Sequence, residues 1–267
     1  MTAGLHDLTT PVPDGIGTFT LDVPDGWQQG RGAFGGLVLG ALARASIMSE
    51  PDVSRTLRSL TGELPGAVPV GRSTIAVETL RRGSGASTLH ARLVHDGEVF
   101  AAATMVLGKT RVTDDGMPEG VHEPKGPPWE AVTPIPIGPP MGPAFALHYE
   151  YRPTGPMPFA GGNVALCEGY VRPRVRPKKL SVTDLVAMVD AYWPAIFSVT
   201  SAPRPMGTIG FAFQVLVDPE TLDPEVPLFH RGTQLGASEG FVSELRELYT
   251  YEGKKVAVNL QTLAIIR

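Results

Sequence analysis

Gln261 is where this chain most openly offers polar chemistry. It closes the stretch Tyr251-Glu252-Gly253-Lys254-Lys255-Val256-Ala257-Val258-Asn259-Leu260-Gln261, and a matching stretch, His95-Asp96-Gly97-Glu98-Val99-Phe100-Ala101-Ala102-Ala103-Thr104-Met105, has a methionine at the same offset after its glycine. Each has an acidic residue and a glycine at a turn, then β-branched, aromatic and small residues, the pattern of a hairpin running into a half-buried strand. The chain reads as a fused duplicate whose copies differ at a position able to hold an amide. Other motifs carry less. Gly30-Arg31-Gly32-Ala33-Phe34-Gly35 matches G-x-G-x-x-G, but a Pro24-Asp25-Gly26 turn and Trp27 stand where a dinucleotide fingerprint needs a parallel strand, and no alternating β/α pattern follows. What survives is a helix start whose free N–H groups can polarise a carbonyl. Gly236-Ala237-Ser238-Glu239-Gly240 matches G-x-S-x-G, yet a hydrolase elbow needs its acid and histidine later in the chain, and the last histidine is His230. The six histidines show no H-x-H or H-x-x-x-H spacing, so no metal site is expected and they read as surface or packing residues. Arg172, Arg174, Arg176, Lys178 and Lys179 could meet ligand phosphates, although a solvated loop is the preferred reading.

These groups need elements to position them. Gly17 to Val23 alternates like a strand and stops at Pro24-Asp25-Gly26. From Phe34 to Ala45 the residues are small and apolar on nearly every side, which predicts a buried helix whose glycines let neighbours approach closely. Strand-like segments follow from Ser59 to Gly108, among them Ser73 to Leu80 and Thr88 to Val94. Between Asp114 and Pro143 prolines recur about every third residue, a density neither helix nor central strand tolerates, so this is read as a linker. The order then repeats: a strand over Phe145 to Tyr151, a helix over Ser181 to Phe197 capped at Ser181, and strands over Thr208 to Val217 and Lys254 to Ile266. Phe241, Leu245, Leu248 and Tyr249 have helical spacing, but the duplication assigns this stretch to a strand. The domain division is therefore an N-terminal lobe (1–113), a Pro-rich linker (114–143) and a C-terminal lobe (144–267).

Composition narrows the partners. A net charge of −4 with scattered basic residues lacks the footprint of a nucleic-acid binder. The single cysteine, Cys167, excludes an intramolecular disulfide and a thiolate zinc site, and fits a reducing compartment. With no signal-like N-terminus and no apolar run long enough to span a bilayer, the expectation is a soluble, cytoplasmic protein without membrane insertion.

A buried glycine-rich helix wrapped by an antiparallel sheet and present twice in one chain resembles the double-hotdog acyl-CoA thioesterases, specifically those like bacterial acyl-CoA thioesterase II. In the first lobe the likeness rests on Trp27 with Phe34-Gly35-Gly36 and on Val70-Gly71 leading to Val77-Glu78-Thr79-Leu80-Arg81-Arg82-Gly83. In the second it rests on Gly169-Tyr170-Val171-Arg172-Pro173-Arg174, Met188-Val189-Asp190-Ala191 with Pro194-Ala195, Gly207-Thr208-Ile209, and Val256 to Gln261. One departure is Phe213 to Pro219, which replaces the family's usual polar and aromatic continuation after the threonine strand.

The resemblance implies an α+β double hotdog that hydrolyses fatty acyl-CoA with no metal or redox cofactor, assembled as a homodimer or higher homo-oligomer. It also implies a water held by Asp190, Thr208 and Gln261. The chemistry is reasonable: a carboxylate among apolar helix residues is costly unless hydrogen-bonded or open to a pocket, and such a site can make a useful base. Thr208 and Gln261 would orient the water while Asp190 takes its proton. The helix start at Phe34, Gly35 and Gly36 would meet the developing oxyanion across the lobe interface, and Met105 would make its lobe a packing and binding partner lining the acyl tunnel. Two other readings stand beside this one. A degenerate hotdog could bind acyl-CoA or acyl chains without hydrolysing them. A hotdog hydratase would need a histidine paired with an acid near the helix, and neither expected helix carries a histidine.

Overall fold

The computed structural model describes residues 4–111 and 126–266. The first lobe runs α1 (Leu5–Leu8), β1 (Val12–Pro13), β2 (Thr18–Val23), a short ribbon of β3 (Gln28–Gln29) and β4 (Gly32–Ala33), the long helix α2 (Gly35–Ser49), then β5 (Thr56–Glu63), β6 (Gly71–Arg82), β7 (Ala86–His95) and β8 (Glu98–Gly108). The second has β9 (Tyr149–Pro153), β10 (Leu166–Pro173), α3 (Val182–Asp190), β11 (Met206–Val215), β12 (Leu228–Ser238), β13 (Phe241–Tyr249) and β14 (Lys255–Ile265). Twelve strands form one antiparallel sheet in the order β1-β2-β6-β7-β8-β5-β11-β14-β13-β12-β10-β9. Both helices are buried together against it, as expected for an α+β double hotdog.

Register reveals the duplication. The lobes join where β5 meets β11, with Thr61 opposite Ala212 and Leu60 opposite Phe213. A two-fold axis through the Thr61 and Ala212 pair carries Leu60 onto Phe211. Their next partners are Met105 on β8 and Gln261 on β14, so the matched hairpins are equivalent in space as well as in sequence.

Helix α2 is enclosed because its residues leave no polar face: Leu37, Val38, Leu39, Ala41, Leu42, Ala43 and Ala45 are all fully buried. Its tightest contact is with α3, where a Cβ on Gly36 would lie 2.7 Å from the Ala187 backbone, so only glycine lets the two helices meet there. At the start of α3 the Ser181 amide donates to Asp184 Oδ2 at 2.8 Å, the local cap expected from sequence.

Several boundaries differ from expectation. Helix α3 stops at Asp190 instead of continuing to Phe197, because Pro194 follows and cannot accept an α-helical neighbour before it; a 3₁₀ turn resumes at Ala195–Ser198. Asp190 is thus the last helical residue, not an interior one. Residues Ala144–His148 form a 3₁₀ turn, and strand begins only at Tyr149. The Gly236 to Gly240 motif is the end of β12 and the turn into β13, with Glu239 and Gly240 at φ of 53° and 87°. Arg172 lies in β10, not in a solvated loop. It and Arg176 pair with Glu150, at 3.1 and 3.5 Å, and Lys179 pairs with Glu220 at 2.8 Å.

Residues 114–125 of the expected linker lie outside the described residues. Its stretch from Pro127 to Val132 packs over β9 and β10, and Ile135 then bridges to Tyr151 at the sheet edge. Tyr170 Oη donates to Pro127 O at 2.7 Å, Arg152 Nη1 donates to the carbonyls of Trp129 and Val132 at 3.1 and 2.7 Å, and the Trp129 ring lies under the guanidinium groups of both Arg152 (5.1 Å) and Arg172 (4.9 Å). Each cation–π contact contributes about 0.5–1 kcal/mol. Trp129→Ala should therefore lower the free energy of unfolding by about 1–2 kcal/mol, measured by urea titration, with any catalytic activity unchanged.

Candidate active site

Asp190 meets its partners at the C-terminal end of α3. Its Oδ1 accepts from Gln261 Nε2 at 2.8 Å, and Gln261 Oε1 accepts from Thr208 Oγ1 at 3.0 Å. Gln261 is fully buried, Asp190 nearly so, and Thr208 is half-buried. Asp190, Gln261 and Thr208 thus form one hydrogen-bonded chain. Thr208 reaches it through an irregularity in β11, where the register against β14 slips between Thr208 and Gly210; a bulge is a common way to re-aim a strand side chain.

The start of α2 closes the other side. The Gly36 amide hydrogen-bonds to the Asp190 carboxyl, and a Cβ on Gly35 would come within 3.1 Å of Asp190 Oδ2. Glycine here lets the N-terminal end of the first lobe's helix face the carboxyl of the second lobe. Phe34 is different. Its amide donates to Trp27 O at 2.8 Å, and its ring stacks on Phe145 at 3.9 Å, so it supplies apolar packing and no spare donor. Met105 is fully buried in the first lobe between Leu60 and Leu89 on adjacent strands, away from this polar chain.

Two charged residues at the site escaped sequence reasoning. Arg246 Nη1 donates to Asp190 Oδ1 at 3.3 Å and to Asp190 O at 3.2 Å, and its Nε donates to Glu244 Oε1 at 2.8 Å. Glu244 Oε2 in turn accepts from the Ala195 amide at 2.7 Å. Both side chains are buried. Burial raises the Asp190 pKa, and the Arg246 charge, the Gln261 amide and the Gly36 N–H hold back that rise. Arg246 stays cationic because Glu244 and Asp190 outweigh its own burial.

His230 also belongs to the surround. Its ring is fully buried, stacks on Tyr192 at 4.6 Å, and Nε2 lies 3.2 Å from Val189 O. Burial first, then the Arg246 charge, pushes its pKa down to about 3, so it is neutral in the folded protein. The unfolded chain binds that proton at an ordinary pKa of about 6.5, so stability present above that pH is lost as pH falls toward 3. Wild type should lose about 2 kcal/mol more than His230→Ile between pH 6.5 and 4.5, measured by denaturant unfolding at each pH.

The two-fold axis shows how one-sided this arrangement is. Thr208, His230, Glu244, Arg246, Asn259 and Gln261 correspond to Leu57, Ile75, Leu89, Ala91, Ala103 and Met105. All six of the first-lobe residues are buried hydrophobics. Buried polar groups are costly compared with apolar ones of similar size. One lobe is built as plain core, and the other carries the polar network at the same places.

Comparison with known proteins identifies the family and the fold. Residues 23–108 match the family model for the acyl-CoA thioesterase N-terminal domain, and residues 118–265 match that for the acyl-CoA thioesterase C-terminal domain. No protein of curated function matches the chain in sequence. Among solved structures, a conserved hot dog fold protein of unknown function from Alicyclobacillus acidocaldarius aligns with a TM-score of 0.89 at 22% identity, covering 100% of this chain and 99% of the other. The acyl-CoA thioesterase II TesB2 of Mycobacterium marinum aligns at 0.78 with 16% identity and 98% coverage of both chains. The tesB protein of Mycobacterium avium subs paratuberculosis gives 0.80, 13% and again 98% of both. These likenesses establish a double hotdog fold, and with both family models spanning it, the chain belongs to the acyl-CoA thioesterase family.

Proposed function

We propose that the protein hydrolyses the thioester of fatty acyl-CoA to free acid and CoA, using a water activated by Asp190. The observation that carries this reading is the Asp190 carboxyl itself: Oδ1 is held by Gln261 and Arg246, while Oδ2 faces the glycines that open α2. A carboxylate whose pKa is raised by burial, with fixed donors holding back the rise, is a stronger base than a solvated one and suits general base catalysis.

In this reading the water oxygen attacks the thioester carbonyl carbon as its proton passes to Asp190. Thr208 and Gln261 orient the water. The carbonyl oxygen, gaining negative charge, lies toward the N-terminal end of α2, where backbone N–H groups and the helix dipole favour it. Collapse of the tetrahedral intermediate breaks the C–S bond, and the proton on Asp190 returns to the departing thiolate. An acyl chain would meet apolar side chains such as Phe34 and Phe145, which stack on each other beside the start of α2, and Met105 belongs to the packed first-lobe core.

The test is thiol release from acyl-CoAs of graded chain length, run beside calorimetric binding of the same compounds. Stoichiometric CoA and free acid from at least one chain length are expected. Acyl-CoA binding without thiol release from any of them would overturn the proposal in favour of a non-catalytic acyl-CoA binder.

A further inference from the structure

We propose that Arg246 and Glu244 form a positioning unit that fixes Asp190 in its working orientation. The inference rests on Asp190 being the catalytic base. The unit grips the end of α3 from both sides of Pro194. Arg246 holds the Asp190 carboxyl and carbonyl and reaches Tyr192 O at 3.4 Å, while Glu244 holds the Ala195 amide, the first residue of the next turn. The last carbonyls of a helix lack internal partners, and the guanidinium satisfies one of them, Asp190 O, and the Tyr192 carbonyl just beyond, while facing the negative end of the dipole.

A structural role alone does not account for the pair. At the equivalent positions of the first lobe, Leu89 and Ala91 fill the core with no charge, and apolar residues in place of a buried ion pair are often neutral or stabilising. At these matched strand positions the ion pair is found only in the lobe that carries Asp190. Its charge also bears on that carboxylate. Glu244 raises the Asp190 pKa and Arg246 lowers it more, so the pair as a whole favours the carboxylate. Tyr149 and Tyr151 on β9, His230 on β12 and the Gly36 amide on α2 are uncharged near neutral pH. Arg246 is the cation that contacts Asp190.

The experiment compares wild type with Glu244→Gln/Arg246→Met and with Arg246→Lys, in thiol release from an acyl-CoA that the wild type hydrolyses. The double variant removes both charges, so neither partner is left buried and alone. It is expected to fold, to lose about 10–100-fold in kcat with KM little changed, and to show the acid limb of its kcat/KM profile at higher pH, because ionised Asp190 has lost its nearest cation. Arg246→Lys keeps the cation with a poorer grip, so its acid limb should stay in place while kcat falls less. The Lys variant also supplies the answer if the double variant does not fold. Wild-type kcat and an unmoved acid limb in the folded variants would overturn the proposal. If Asp190→Asn were itself as active as wild type, the underlying reading would fail instead; impairment of Asp190→Asn beside unimpaired Arg246 variants would remove only the positioning role.

Discussion

Gln261→Met is expected to reduce kcat for thiol release by about 10²–10³-fold, the usual cost of deleting one preorganised polar group from an active site. The substitution writes the first lobe's residue into the second, and the side chains are close in size, so the loss would not come from a cavity. It would come from three linked effects. Asp190 Oδ1 loses its 2.8 Å donor, Thr208 Oγ1 loses its acceptor, and the attacking water loses the amide that spans them. Without that donor the Asp190 pKa climbs further, and the acid limb of the rate profile should move to higher pH. Stability should fall by about 1.5–3 kcal/mol, the worth of a hydrogen bond to a charged group. The mirror substitution, Met105→Gln, places an unpartnered amide in a closed apolar core. It should destabilise the fold while leaving kcat near wild type in the folded fraction. Large loss of kcat in Met105→Gln with none in Gln261→Met would place the chemistry in the wrong lobe.

How much of this could be read from the sequence depended on what kind of regularity each element had. Helix α2 was legible because it is apolar on all sides and begins in glycines. The hairpin equivalence of Met105 and Gln261 was legible because turn chemistry and strand pattern repeat together, and the register agrees residue for residue. The end of α3 was misread because Val189 and Tyr192 continue a helical stripe past Asp190; Pro194 was the better signal.

Arg246 and Glu244 were missed for a different reason. Read with a period of two, β13 turns Val242, Glu244, Arg246 and Leu248 inward, and two adjacent inward charges argue against a core strand. The helical spacing of Phe241, Leu245 and Leu248 then competed for the same stretch. Pairing outward from Gln261 would have found them: the neighbour of Gln261 is Glu244, as the neighbour of Met105 is Leu89. Strand β12 and the strap at Trp129 depend on long-range partners, which local pattern does not reveal.

The substitution with the largest expected effect is Asp190→Asn. The amide occupies the same volume, so the helix end should keep its contacts, but it cannot accept a proton from water. General base catalysis contributes about 10²–10⁴-fold, so thiol release should fall by that factor while acyl-CoA binding stays close to wild type. Replacing the carboxylate also leaves Arg246 with Glu244 as its sole carboxylate contact. A modest loss of stability is therefore expected alongside the kinetic one, and a melting curve separates the two. The decisive measurement is thiol release by folded Asp190→Asn with an acyl-CoA that wild type hydrolyses: the rate should fall by at least about 100-fold, and a rate equal to wild type would contradict a role for Asp190 as the base.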